Sequence, residues 1–182
     1  FMHGKIVTDS LLQDKGFALA SMCSLCGSNV ETPRHLFFEC SFSHQVWSLC
    51  LNWFGVISNF DDIMTFFTYP IRKGYGSQIQ LLWSGLIGAC LYCLWTTRNK
   101  LNFDDIQPSI TDIVRLINCQ LLVIHSLSRG NMKNFVEELC ILRAIGLSGH
   151  PAKSPRVIEV LWKPPSLHWV KVNTDGAARG SP

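Results

Sequence analysis

Between Ser43 and Phe54, the apolar residues Val46, Trp47, Cys50, Leu51 and Phe54 recur at the spacing of one face of a helix, which predicts an amphipathic helix. A shorter one is expected after Asp61. Residues 68–77 carry Pro70, Gly74 and Gly76 and read as a loop. The longest apolar run follows, from Gln78 to Thr97, with no formal charge anywhere in it. Its length matches a membrane span of about 20 residues. However, Gln78, Gln80, Ser84, Thr96 and Thr97 dilute it, and a buried core helix is the better reading. Ser109 to Ser128 predicts another helix, capped by Ser109 or Thr111, with Ile113, Leu116, Ile117, Cys119, Leu121, Val123 and Ile124 as core candidates. A further helix is expected within Asn131 to Leu147. Near the N-terminus, Thr8, Asp9 and Gly16 mark the cap, first turn and end of a short helix.

The pattern changes at Ser148. Ser-Gly-His-Pro-Ala-Lys-Ser-Pro is too polar and too rich in Gly and Pro to bury much, and it reads as a linker. Beyond it, His168 to Asp175 alternates, with Val170, Val172 and Thr174 on one face and Lys171, Asn173 and Asp175 on the other, as a strand does. The expected fold is mainly α: a small metal-bound module over residues 1–55, a helical bundle continuing it over 56–147, a linker over 148–161, and over 162–182 a separate segment with a C-terminal β-strand.

Composition adds a compartment and a charge map. The 182 residues are 47% hydrophobic, enough for a sizeable core, and the first fifteen lack the long apolar stretch of a secretory leader. Eight cysteines in such a chain are expected to be thiols or metal ligands inside the cell, in nucleus or cytoplasm, and not disulfides. The net charge of +3 is concentrated at the end, where Lys153, Arg156, Lys163, Lys171 and Arg179 face only Glu159 and Asp175. Phe1 to Phe54 is slightly acidic, with Lys5, Lys15 and Arg34 against Asp9, Asp14, Glu31 and Glu39. Nucleic-acid affinity rests first on cations that displace counterions, so charge alone favours a structural role for this region over a direct grip on phosphates.

The candidate chemistry is Cys23-x2-Cys26-x8-His35-x4-Cys40, four soft or borderline donors at the spacing of a tetrahedral zinc site. Cys23-Ser24-Leu25-Cys26-Gly27 reads as a knuckle in which Gly27 takes positive φ. Glu31-Thr32-Pro33 starts a short helix bearing His35, with Pro33 in its first position. In an α-helix five residues at about 100° each carry Cys40 well off the face of His35, so the helix must end near Glu39. His44 is the alternative to Cys40 as the fourth ligand. Four protein ligands leave no open position, and such a metal holds a fold together without catalysing a reaction. Cys90-x2-Cys93 repeats the knuckle spacing but lies in the uncharged helix with no histidine nearby, and it reads as buried thiols, as do Cys50, Cys119 and Cys140. Trp47, Trp53, Trp83 and Trp95 read as core.

The residues Met2-His3-Gly4-Lys5-Ile6-Val7-Thr8-Asp9, the knuckle, Glu31 to Cys40 and Val46-Trp47 resemble the zinc-binding domain of reverse transcriptases in plant LINE-type (non-LTR) retrotransposons. Trp95 to Phe103 is similar to the aromatic-Arg-Asn segment that follows in that family. Trp162-Lys163-Pro164-Pro165 and Trp169 to Ala177 are similar to the opening of its ribonuclease H domain. The resemblance implies cleavage of the RNA strand of an RNA–DNA hybrid by two Mg²⁺ ions held by several carboxylates. Asp175 matches the first of these. These residues, which run to Pro182, do not include the later acidic ligands, so the resemblance implies that the strand belongs to a truncated ribonuclease H-like α/β domain and that residues 1–182 alone are expected to be inactive.

Two readings of the function follow: a nucleic-acid-associated piece of a retrotransposon polyprotein, or a domesticated or truncated remnant that binds a protein partner through exposed apolar helices. Neither involves a membrane. The first expects Lys5, Lys15, Arg34, Arg98 and Lys100 to share a face.

Overall fold

The computed structural model describes residues 7–57, 63–152 and 165–170. Six α-helices are present among them: α1 Asp9–Asp14, α2 Ser41–Asn52, α3 Ile63–Arg72, α4 Ser77–Asp104, α5 Ile110–Leu127 and α6 Val136–Ile145. A single π-helical turn, His35–Glu39, precedes α2. The chain divides into two compact units, Phe1–Ala152 and Lys153–Pro182.

In the first unit the uncharged run becomes the central helix. α4 packs lengthwise on α5 and also touches α2, α3 and the π-turn. Ile79, Leu82, Trp83, Leu86, Ile87, Cys90, Leu91, Cys93 and Leu94 are buried along it. Both α4 and α5 are long and apolar enough to cross a membrane by length and composition, and more than half of the most apolar stretch of α4 is covered by protein. Trp83 is the hub of the core. Its ring meets Phe54 at 5.1 Å, Phe66 at 5.4 Å and Tyr69 at 5.0 Å between centroids, which fastens α3 and the end of α2 to α4.

The expected loop over residues 68–77 is shorter than its composition suggests, because α3 continues through Pro70 to Arg72. A helical proline lacks the N–H that would bond the carbonyl four residues back. Here that carbonyl belongs to Phe66, and it accepts the indole N–H of Trp83 at 2.9 Å. The tertiary contact supplies the missing donor, so the proline is tolerated.

In α5, Ser109 is the cap, its hydroxyl accepting the Asp112 amide at 3.3 Å. Its core face is narrower than expected: Ile113, Ile117 and Leu121 are buried and Ile124 partly so, whereas Leu116, Cys119 and Val123 are exposed. Cys140 on α6 is exposed as well, so Cys119 and Cys140 are not core thiols, while Cys50, Cys90 and Cys93 are. Trp47 and Trp83 are buried, and Trp53 and Trp95 pack partly buried against the core. Residues 148–152 are fastened to the helices: Met132 donates to the His150 carbonyl at 2.8 Å, and Met132 and Pro151 form an isolated parallel bridge.

In the second unit the described residues 165–170 form a turn, with the Trp169 amide on the Ser166 carbonyl at 2.9 Å and His168 in the left-handed region at φ 74°. No strand occurs among the described residues. The strand expected over His168 to Asp175 lies mostly outside them, as does Asp175 itself.

Candidate metal centre

The knuckle folds as its spacing dictates. The Gly27 amide closes a turn on the Cys23 carbonyl at 2.7 Å, Gly27 takes φ 64°, and the Cys23 amide bonds the Asn29 carbonyl at 2.6 Å. A side chain at Gly27 would be strained in that backbone region, which fixes glycine there. The second pair of donors comes from the segment after Val30. Thr32 caps it, its hydroxyl accepting the His35 amide at 3.0 Å.

From His35 the chain adopts a π-turn, in which the Cys40 amide bonds the His35 carbonyl at 2.7 Å, five residues back. This is the departure from the α-helical expectation. The wider turn needs more than four residues per revolution, so Cys40 returns beneath His35, and the helix stops at Glu39 as the spacing demands. The carbonyls exposed by that irregular ending are taken by α2: Ser43 Oγ bonds the Leu36 carbonyl at 2.5 Å, and Trp47 Nε1 bonds the Phe37 carbonyl at 2.7 Å. Leu36, Phe37 and Trp47 are buried, so unpaired carbonyls here would each cost about 1–3 kcal/mol.

These devices bring the ligand atoms of Cys23, Cys26, His35 and Cys40 within 4.8 Å of one another. Cys26 Sγ lies 3.3 Å from His35 Nε2, and Cys23 Sγ lies 3.9 Å from Cys40 Sγ. Cys23, Cys40 and His35 are buried. His44, on the exposed side of α2, is not part of the cluster. The Cys23 thiol donates to the Cys40 sulfur, which draws the Cys40 thiol down to about 5, and the Phe42 and Ser43 amides at the start of α2 add to that effect. The same contact, with burial, pushes the Cys23 thiol up. A thiolate at a helix N-terminus is the state a cation needs. The donor set also fits zinc: three sulfurs and one imidazole nitrogen, mostly dry, with no carboxylate. The Ser24 hydroxyl is buried without a hydrogen-bond partner among the described residues, a spare donor beside sulfurs that become acceptors on deprotonation.

Behind the metal ligands lies an ion cluster that the sequence reading did not find. Glu31, between Cys26 and His35, is fully buried and receives Arg98 of α4 through both oxygens, Nε to Oε2 at 2.9 Å and Nη2 to Oε1. Asp9 of α1 approaches the same guanidinium at 3.4 Å, and the Trp95 ring lies 5.4 Å from it. Arg98 thus ties α1, the metal loop and α4 together, and it is not available to phosphates. Arg34 pairs with Glu39 at 2.6 Å on the surface, Lys15 and Lys100 are exposed, and Lys5 lies outside the described residues. The signal for the cluster was present: a lone arginine close behind an uncharged helical run requires a buried partner.

A Cys3His cluster with three of its four members buried, on a helical body, has the donor set of zinc-binding domains. Residues 1–47 match the family described as zinc-binding in reverse transcriptase. The chain is also 20% identical over 177 residues to the Arabidopsis thaliana protein named "Putative ribonuclease H protein". That match covers 97% of this chain and 26% of the relative, so the chain spans about a quarter of the relative's length. No solved structure matches. Residues 1–47 are thus similar to the zinc-binding region of reverse transcriptases and the chain is weakly similar to a plant protein named for ribonuclease H, a pair of likenesses that fits a retrotransposon-derived origin.

Proposed function

We propose that Cys23, Cys26, His35 through Nε2, and Cys40 hold one structural zinc ion, and that the module it folds acts as a scaffold in a retrotransposon-derived, nucleic-acid-associated protein. The observation that carries this reading is the convergence of the four ligand atoms within 4.8 Å, on a knuckle and a π-turn whose backbones are fixed independently. Zinc supplies charge neutralisation and a cross-link here. The chain's own residues position the ligands, pair the spare backbone groups and exclude water. The burial of Arg98 against Glu31 and Asp9 supports scaffold over phosphate grip.

The nucleic acid of the complete protein is an RNA–DNA hybrid under this reading, and the domain order is metal module, helical region, linker and the opening of a ribonuclease H-like domain. Asp175 would be the first Mg²⁺ carboxylate of that domain. A two-metal site needs several carboxylates, so residues 1–182 by themselves are expected to leave a hybrid substrate intact. Hydrolysis by purified protein that is abolished in Asp175→Ala would overturn that expectation. The eight thiols suit a reducing intracellular compartment.

Metal analysis tests the central part. Purified chain is expected to hold one zinc, and Cys23→Ser and Cys40→Ser are each expected to lose it together with part of the helical circular dichroism. Retention of zinc by both variants would refute the ligand set. A second reading, a protein-interaction module, is favoured by the outer face of α5, where Leu116, Val123 and Leu127 are exposed. Salt-insensitive self-association would support it, whereas hybrid binding that weakens steeply with salt supports the first.

A further inference from the structure

On the side of the fold that receives residues 148–152, two imidazoles stack. The rings of His125 on α5 and His150 are 4.7 Å apart at 22°. Facing them from the first turn of α4 is Gln78, fully buried. Its amide is oriented by partners that have no choice of role. The His150 backbone N–H can only donate, so it faces Oε1 at 2.9 Å, and the Ser148 carbonyl can only accept, so it faces Nε2 at 2.9 Å. The second hydrogen on Nε2 then points to His125 Nδ1 at 3.3 Å, which must accept. His125 is therefore neutral, with its proton on Nε2, directed to Ser148 Oγ at 3.4 Å. His150 Nδ1 carries a proton, because it faces the Gly130 carbonyl at 3.1 Å.

We propose that this node is an acid-released latch: protonation of His125 places an N–H against the Gln78 NH2 and a charge against the His150 ring, and frees residues 148–152 from the helices. No covalent step is involved. A proton taken from solvent converts an acceptor into a donor where only an acceptor fits. The charged groups on the packed elements are Arg129 and Lys133 in the segment after α5, and Glu137, Glu138 and Arg143 on α6; the first turn of α4 has none. Glu138 is committed to the Gly76 and Lys133 amides, at 2.5 Å each. No carboxylate among the described residues lies within ion-pair distance of either ring, so nothing there offsets the added charge. In keeping with this, burial first and the His150 ring second hold His125 below the ordinary histidine value. The sign follows: the latch is closed above about pH 6.5 and is lost as pH falls below it.

The test is amide exchange on the zinc-loaded full chain, read at the His150 and Met132 amides, whose acceptors are the Gln78 side chain and the His150 carbonyl. Between about pH 7.5 and 5.5 their protection, corrected for intrinsic exchange, should fall severalfold, up to about tenfold, while the buried centre of α4 keeps its own. His125→Gln, which keeps an acceptor but cannot titrate, should remove that dependence with zinc content unchanged. Equal loss in His125→Gln, or no loss in the native chain, would overturn the proposal. The ¹⁵N shifts of His125 at neutral pH give a check that needs no variant: a proton on Nδ1 would overturn it too.

Discussion

The strongest single prediction concerns Arg98 and Glu31. Their side chains are 6% and 1% exposed, and the guanidinium meets both carboxylate oxygens. Removing one partner leaves the other charged and dry, so Arg98→Met or Glu31→Gln should each cost about 3–5 kcal/mol. A domain of this kind has about 5–15 kcal/mol in total, so either variant loses a large share of it. The double variant Arg98→Met with Glu31→Met removes both charges and keeps apolar volume, and it should be more stable than Arg98→Met alone. Urea unfolding of the zinc-loaded protein at fixed concentration, run as a double-mutant cycle, reads the difference. Zinc affinity should fall in parallel in the single variants, because the Glu31 amide and carbonyl also hold Ser21 Oγ and the Ser10 amide, at 3.0 and 3.3 Å, beside the ligands. Single variants costing under about 1 kcal/mol, or a double variant costing the sum of the two, would refute the reasoning.

Trp47→Phe keeps an aromatic ring but removes the indole N–H that the Phe37 carbonyl accepts, and should cost about 0.5–1.5 kcal/mol in unfolding while weakening zinc retention; an unchanged zinc off-rate would show that the π-turn does not depend on α2. Gly76→Ala puts a Cβ 2.5 Å from the Asn131 carbonyl oxygen and should destabilise by about 1–3 kcal/mol or more. Gly88→Ala meets nothing within 4 Å on an exposed side of α4 and should stabilise by about 0.5–1 kcal/mol; thermal midpoints moving in the same direction would contradict the packing described.

Much of the fold was legible because long apolar patterns report burial directly. α2 and α4 fall where the spacing of Val46, Trp47, Cys50 and Leu51 and the uncharged run from Gln78 place them. The four candidate ligands were legible because their spacing is set by chemistry and not by tertiary context. The rest depended on partners remote in sequence. Pro70 reads as a breaker until Trp83 is known to bond the carbonyl it releases. The π-turn has no sequence period of its own and exists because Ser43 and Trp47 hold the carbonyls it exposes. Arg98 reads as a cation for nucleic acid until Glu31, sixty-seven residues away, is found beside it. Leu116, Cys119 and Val123 match a helical period but lie on the face of α5 that no described element covers.

The central claim is a closed zinc site with no exchangeable position. X-ray absorption at the zinc edge of the purified chain tests it most directly. The account predicts three sulfur scatterers at about 2.3 Å and one nitrogen at about 2.0 Å, unchanged from neutral to mildly alkaline pH. A shell with a light-atom ligand that survives His35→Ala, or fewer than three sulfurs, would contradict it, because the metal would then hold water and the site would be open.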